Sequence, residues 1–351
     1  MGFRPVGPIL LEGLKKLEYR GYDSCGVASV SECTLQVRKG VGKIDDVEKA
    51  EKLSQITGNA SLSHSRWATH GGVTKENAHP HTDCSEKIAL VHNGIIENFQ
   101  SLRKKLTDAG HVFRSQTDTE AIAHLVESES GSLEERVRKA VLCLEGSFAL
   151  LVLSSDEPDK LIAVRKESPM AVGLGKGEFF AASDVMPFLS HARDVVFLED
   201  GEMASLSRFG VTFSDVLTGK PFQKKPRTLD WNEESASKGG FDHFMLKEIL
   251  EQPSAIRSAL VQKTDSLNRF LALLKSSRQI KLVACGTSRH AALVGRYLFS
   301  RLANLSAEVY IASEFSYFAD QCTADDLVVC VSQSGETADV LVGLRKAKVK
   351  G

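Results

Sequence analysis

The sequence predicts an α+β domain followed by an α/β domain with a parallel sheet. Three observations predict this. In roughly the first 215 residues, many short strand-like runs surround a pair of helical stretches, the mark of α+β layers. After Phe241, apolar strand-length runs alternate with helical ones, as in a doubly wound sheet. Between them, residues 219–240 are polar and rich in Gly and Ser, which reads as a linker. The expected organisation is therefore 1–218, a linker over 219–240, and 241–351. At about 150 residues per domain, a chain of 351 residues holds about two domains.

The elements follow in order. Leu11, Leu14 and Leu17 share one face of a short helix at 12–18. Residues 25–30, 34–39, 60–67 and 88–92 read as strands. Thr117-Asp118-Thr119-Glu120 and Ser132-Leu133-Glu134-Glu135 both match the capping box, in which a hydroxyl caps the third amide and a Glu reaches back. Leu133, Val137, Val141 and Leu144 then follow at helical spacing, and Gly146 is expected to stop that helix. Strands are expected at 148–153, 161–165, 179–182, 195–198 and 204–207. In the second domain, helix 244–250 should end or kink at Pro253. Helices 254–261 and 266–274, strand 281–284, helix 290–302, strands 308–312 and 327–332, and helix 336–346 complete the pattern. Only about three strands are present there, fewer than such a sheet normally has, so the domain is expected to be incomplete.

Composition excludes several classes. Hydrophobic residues make up 42% and charged residues 25%, ordinary for a globular protein. No run approaches the ~20 apolar residues of a membrane span, and the first residues carry no apolar signal region. Lys and Arg number 44 against 45 Asp and Glu. A net charge of −1 gives no sign of nucleic acid or an anionic membrane as partner. The seven cysteines are scattered, odd in number and without C-x-x-C spacing. Neither a disulfide framework nor a structural zinc site is expected, and the usage fits a reducing cytoplasm.

Two segments of the second domain share one design. Ala284-Cys285-Gly286-Thr287-Ser288 and Ser332-Gln333-Ser334-Gly335-Glu336-Thr337 each follow a strand and open a helix. Small hydroxyl residues and glycine there leave N–H groups free at a helix N-terminus, a cradle for an anion. Either segment alone could be helix capping. Two in one sheet would face one crevice.

The first domain carries a different set. Ser65-Arg66-Trp67-Ala68-Thr69-His70-Gly71-Gly72 leaves a strand with an Arg, a Trp and a Gly-Gly hinge. Arg66 suits bidentate capture of a carboxylate, and Asp118 suits an ammonium. An Asn93 amide beside a Gly94 N–H suits an oxyanion hole. Taken alone, Asn93-Gly94 reads as a hairpin turn and Asp118 as a helix cap. His64, His70, His79, His81 and His92 match no helical or zinc spacing, so no metal is expected from them.

Leu10-Leu11-Glu12-Gly13, Arg20-Gly21-Tyr22-Asp23-Ser24, Ser65 to Gly71, Val91-His92-Asn93-Gly94, Thr117 to Glu120, Glu251-Gln252-Pro253 and the two cradles form an ordered series. In that series the chain resembles the glutamine–fructose-6-phosphate aminotransferase (isomerising) family, also called glucosamine-6-phosphate synthases. The resemblance implies an N-terminal-nucleophile sandwich, the class II glutamine amidotransferase fold, followed by a partial SIS (sugar isomerase) domain. It implies transfer of ammonia from glutamine to fructose 6-phosphate, giving glucosamine 6-phosphate and glutamate, with no cofactor. By the same resemblance, Arg66 and Asp118 hold glutamine, and Trp67, Thr69 and His70 belong to a covering loop. Asn93 and Gly94 form the oxyanion hole, and Arg20 lies near the nucleophile. Cys285, Gly286, Thr287, Ser288, Ser332, Gln333, Ser334 and Thr337 would bind the sugar phosphate. The family's homodimer is implied too.

Two departures accompany the likeness. The family nucleophile is an N-terminal Cys whose α-amine serves as base, whereas this sequence begins Met1-Gly2-Phe3. The isomerase half of the family is expected to lie beyond Gly351. The chain as written is therefore expected to lack turnover, with a non-catalytic binder of sugar phosphate or glutamine as the alternative. Other glutaminase-linked enzymes, such as phosphoribosyl amidotransferases, would lack the two cradles.

Overall fold

A computed structural model describes residues 1–18, 21–67, 71–229, 241, 243–261, 264–333, 335 and 337–350. The chain forms two compact units, Met1–Ser237 and Lys238–Gly351.

The first unit opens with α1 (Val6–Leu17), then β1 (Ser24–Ser31), β2 (Thr34–Val41) and α2 (Ile44–Glu51). Next come β3 (Ala60–Arg66), β4 (His81–Thr82), β5 (Ile88–Ile96), α3 (Phe99–Asp108), α4 (Thr119–Ser128) and α5 (Leu133–Leu142). The strands β6 (Gly146–Ser154), β7 (Leu161–Lys166), β8 (Ala171–Leu174), β9 (Phe179–Ala182) and β10 (Asp194–Phe197) follow. The last four are β11 (Glu202–Ser207), β12 (Gly210–Asp215), β13 (Pro221–Phe222) and β14 (Arg227–Thr228).

These stack in layers. The central sheet has the order β13-β12-β11-β7-β6-β5-β4, antiparallel throughout. Its strand β6 is buried on both faces. Phe148, Leu150 and Val152 meet the helices α4 and α5 through Ile122, Val126, Leu133 and Val137. Ala149, Leu151 and Leu153 point the other way, toward Ala28 and Leu62 of the β2-β1-β3 sheet and Val172 and Val196 of the β14-β10-β8-β9 sheet. Strand alternation thus feeds two cores, which is why the run reads as continuously apolar. Helices α1 and α2 cover the outer face of β1 through Leu14, Ile44 and Val47 against Val27.

Several expectations need correction. Gly146 does not end α5: Cys143 does, and Gly146 opens β6 at φ +110°. The capping box at Ser132 and Glu135 forms, but the one at Thr117 and Glu120 does not. Glu120 instead folds back to accept the N–H groups of Arg114 and Ser115. Helices α2 and α3 carry few apolar residues and were not expected from the sequence, nor were the short strands β8 and β12. The stretch assigned to a linker begins within the first unit, since β13 and β14 pair with β12 and β10, and Leu229 is buried. Residues 230–240 lie outside the described residues.

The second unit contains α6 (Phe244–Leu260), α7 (Thr264–Ser276), β15 (Gln279–Ala284), α8 (Gly286–Ala303), β16 (Ala307–Ile311), α9 (Ala312–Phe318), β17 (Asp326–Cys330) and α10 (Ala338–Lys348). Its sheet is parallel, in the order β16-β15-β17. Pro253 lies inside α6 and does not break it. The residue whose carbonyl it leaves unbonded, Ile249, is half exposed, so water can take that bond. Among the described residues, no helix is long and apolar enough to cross a membrane.

Candidate functional site

Strands β3 and β5 belong to different sheets, and the ends of both meet at one place in the first unit. Arg66 is the last residue of β3 and is buried, as is Asp118 at the N-cap of α4. With Trp67, His92, Asn93, Gly94 and Thr117 they line a cavity of about 200 Å³. Asp118 is not a helix cap in the hydrogen-bonding sense. Its Oδ2 accepts the Ile96 N–H across the gap to β5 at 2.9 Å. Arg66 loses basicity through burial, and the negative charges of Asp118 and Asp23 oppose that loss.

Asn93 and Gly94 are not a hairpin turn. The strand β5 continues to Ile96, with Asn93 opposite Ala149 and Gly94 opposite Phe148. Gly94 has φ +137°, and a Cβ there would lie 2.1 Å from the Ser147 carbonyl oxygen. Only glycine fits, and the twist turns both residues outward at the cavity rim. His64 Nε2 donates to Asn93 Oδ1 at 2.8 Å, which turns the Asn93 amide nitrogen away from His64.

The histidines nearby form a stacked, neutral cluster. His64 and His79 stack at 4.3 Å, and His81 meets His79 edge-on at 4.9 Å. Burial lowers His64 to about 4 and His79 and His81 well below their ordinary value. His79 Nδ1 accepts the His92 N–H, so its Nε2 donates to Thr119 Oγ1, which in turn reaches Asp118 Oδ1. The cluster orients Asp118 and Asn93. This role was not foreseen from the sequence, where the spacing of these residues matches no pattern.

A second cavity of about 320 Å³ adjoins the first and shares His64, His92 and Asn93 with it. Met1, Leu10 and Phe179 to Ala182 are among its walls. No cysteine is among the described residues that line either cavity. Cys25 is buried in the core under α1, where burial and then the charges of Glu18 and Glu48 push its thiol up to about 12. Trp67 is exposed and packs edge-on against Tyr22. Arg20, Thr69 and His70 lie outside the described residues.

In the second unit the two cradles converge. Strands β15 and β17 are neighbours in parallel register, Val283 opposite Cys330. The segments 285–288 and 332–337 therefore leave the same edge of the sheet. Cys285 is the N-cap of α8 and Thr337 that of α10, and neither side chain caps its own helix. Ser332 Oγ accepts the Gly335 N–H at 3.1 Å and lies 3.0 Å from Thr337 Oγ1. Gly286 and Gly335 take positive φ, +55° and +70°. Gly286, Thr287 and Gln333 are exposed, and Ser288 is half-buried in the first turn of α8. Ser334 lies outside the described residues.

Both units match known families. A family described as a glutamine amidotransferase domain matches residues 64–190, and the SIS domain family matches residues 273–351. Two solved structures share the layered fold at low identity. The glutamine phosphoribosylpyrophosphate amidotransferase of B. subtilis has a TM-score of 0.56 at 21% identity, over 88% of this chain and 64% of that one. An allosteric regulatory enzyme of purine biosynthesis has a TM-score of 0.57 at 19% identity, over 95% of this chain and 89% of that one. The chain thus joins an N-terminal-nucleophile glutamine amidotransferase domain to a doubly wound SIS domain.

Sequence narrows this further. The chain is 46% identical to the glutamine–fructose-6-phosphate aminotransferase (isomerizing) of Pyrococcus horikoshii and 48% identical to that of Thermococcus kodakarensis, in each case over its whole length. It belongs to the glutamine–fructose-6-phosphate aminotransferase family. It spans 59% of the length of those two relatives.

Proposed function

We propose that the first unit binds L-glutamine and the second binds fructose 6-phosphate. The reaction they serve moves the amide nitrogen of glutamine to the sugar, giving glucosamine 6-phosphate and glutamate. One observation carries the reading: Arg66, Asp118, Asn93 and Gly94 come from three separate segments and line one cavity. A buried Arg and a buried Asp side by side suit the α-carboxylate and α-ammonium of one amino acid. At the rim, the Asn93 amide and the Gly94 N–H suit the carbonyl oxygen of its side chain, which gains negative charge when the amide is attacked. The loops 285–288 and 332–337 would hold the phosphate by backbone N–H groups and hydroxyls at two helix N-termini. Trp67, with Thr69 and His70, would cover the amino acid, and Arg20 would lie beside the attacking group. A homodimer in the cytoplasm is part of the same proposal.

A second reading concerns this 351-residue chain itself. No thiol lines the described walls of the cavity, and Cys25 is a buried neutral thiol. The chain then holds and polarises glutamine without cleaving it. Ammonia release is the test. The expected result is saturable glutamine binding without release above background. Release at a rate abolished by Asn93→Ala would contradict it.

A further inference from the structure

At the far end of α4 from Asp118, four side chains from three segments converge. Cys84 lies in the turn after β4, and His111 follows α3. His124 and Glu127 stand one turn apart on α4 and so share a face. Cys84 Sγ is 3.5 Å from His124 Nδ1 and 3.7 Å from His111 Nδ1. Glu127 Oε2 is 2.9 Å from His111 Nδ1 and 3.2 Å from His124 Nδ1. All four ligand atoms lie within 4.8 Å of one another.

We propose that Cys84, His111, His124 and Glu127 form a structural site for a zinc-class divalent cation. The two S–N and two N–O spacings lie near the edges of a coordination tetrahedron. Bonds of ~2.3 Å to sulfur and ~2.0–2.1 Å to nitrogen and oxygen place S and N about 3.6 Å apart and N and O about 3.3 Å apart. Hydrogen bonding alone explains the cluster poorly. Glu127 Oε2 already accepts the Cys84 N–H at 3.2 Å, and both rings turn the same nitrogen, Nδ1, to one point. The surroundings also resemble a metal's outer shell. The Val112 N–H points at Cys84 Sγ at 3.4 Å, a donor that would stabilise a metal-bound thiolate there. His124 Nε2 is buried, has no hydrogen-bond partner, and faces Glu120 Oε1 at 3.7 Å. A carboxylate behind the ring fixes which nitrogen is metallated. Binding would displace the Cys84 thiol proton to solvent, move the proton that each ring holds on Nδ1 toward Glu127 to Nε2 or to solvent, and form four bonds to the cation. It would tie the 83–87 turn and the end of α3 to α4, the helix whose first turn carries Asp118.

The test uses the full 351-residue chain, stripped with a chelator and titrated with zinc, then with cobalt as an optical probe. We expect one zinc per chain and a cobalt spectrum with tetrahedral ligand-field bands and a thiolate charge-transfer band. Cys84→Ser should abolish the charge-transfer band and weaken zinc at least 100-fold. His111→Gln, at a half-exposed position, should weaken it at least 10-fold, and Glu120→Gln about 10-fold, the usual effect of an outer-shell partner. Thermal unfolding without metal checks that each variant folds. Less than 0.1 zinc per reloaded chain would overturn the site. So would zinc affinity and a cobalt spectrum that Cys84→Ser leaves unchanged.

Discussion

His64 Nε2 donates to Asn93 Oδ1 at 2.8 Å, joining the strand that ends in Arg66 to the strand that carries Gly94. The acceptor end of the Asn93 amide is thereby occupied, and its donor end is left for a ligand. His64→Leu releases the amide to rotate. We predict glutamine affinity about fivefold weaker, the worth of one hydrogen bond. His64→Gln, which can still donate, should lose less than half of that free energy. Calorimetric titration of both variants checks this.

The neutral histidines set an acid limit on stability. His64 takes up a proton at about 4 in the folded chain and at 6.5 when unfolded. Between those values the unfolded state binds more protons, so stability falls as pH is lowered from 6.5 to 4. His79 and His81 act in the same direction. The melting temperature should drop through this window, and His64→Gln should make the drop shallower.

Gly94→Ala meets two obstacles, the positive φ and the Ser147 carbonyl 2.1 Å from the new Cβ. We predict a loss of about 3 kcal/mol or more in stability, read by denaturant unfolding. Gly110, with φ +97° but nothing within 4 Å, should cost only about 1 kcal/mol on the same change.

In the second unit Lys281 and Asp326 form a buried pair at 2.9 Å within the parallel sheet. Lys281→Met leaves the Asp326 carboxylate with only the Thr323 N–H at 3.1 Å and Arg278 at 3.9 Å and should destabilise the unit by about 2–3 kcal/mol. Adding Asp326→Leu should recover most of that loss. Equilibrium unfolding of the single and double variants separates the two.

Ser332 fixes its loop by accepting the Gly335 N–H and offers a hydroxyl beside Thr337. Ser332→Ala should weaken fructose 6-phosphate about tenfold. Raising the salt should weaken it further in both forms, as the phosphate is charged. Titration at two ionic strengths is the check.

Apolar strand-length runs and local capping motifs were legible in the sequence. Strand β9 and the capping box at Ser132 and Glu135 lie where the pattern puts them, and the cradles follow their strands. Sparse apolar residues hid α2 and α3. The site was partly legible, because Arg66 and Asp118 are residue types with evident partners. The outward turn at Asn93 and Gly94 was not, since it depends on Ser147 of the neighbouring strand. The Cys84 cluster was not, because its ligands lie on segments that only the packing of α3 against α4, and of α4 against β4 and β5, brings together. Glu120 matched a local motif and found longer-range partners, Arg114 and Ser115, in its place.

The central claim is that Arg66 and Asp118 hold one amino acid between them. Titration of L-glutamine into the native chain and into Asp118→Asn tests it most directly. The variant keeps an acceptor for the Ile96 N–H and removes the charge. The predicted result is saturable 1:1 binding that Asp118→Asn weakens at least tenfold, with the melting temperature little changed. Saturable binding unaffected by Asp118→Asn, or no saturable binding to the native chain, would contradict it.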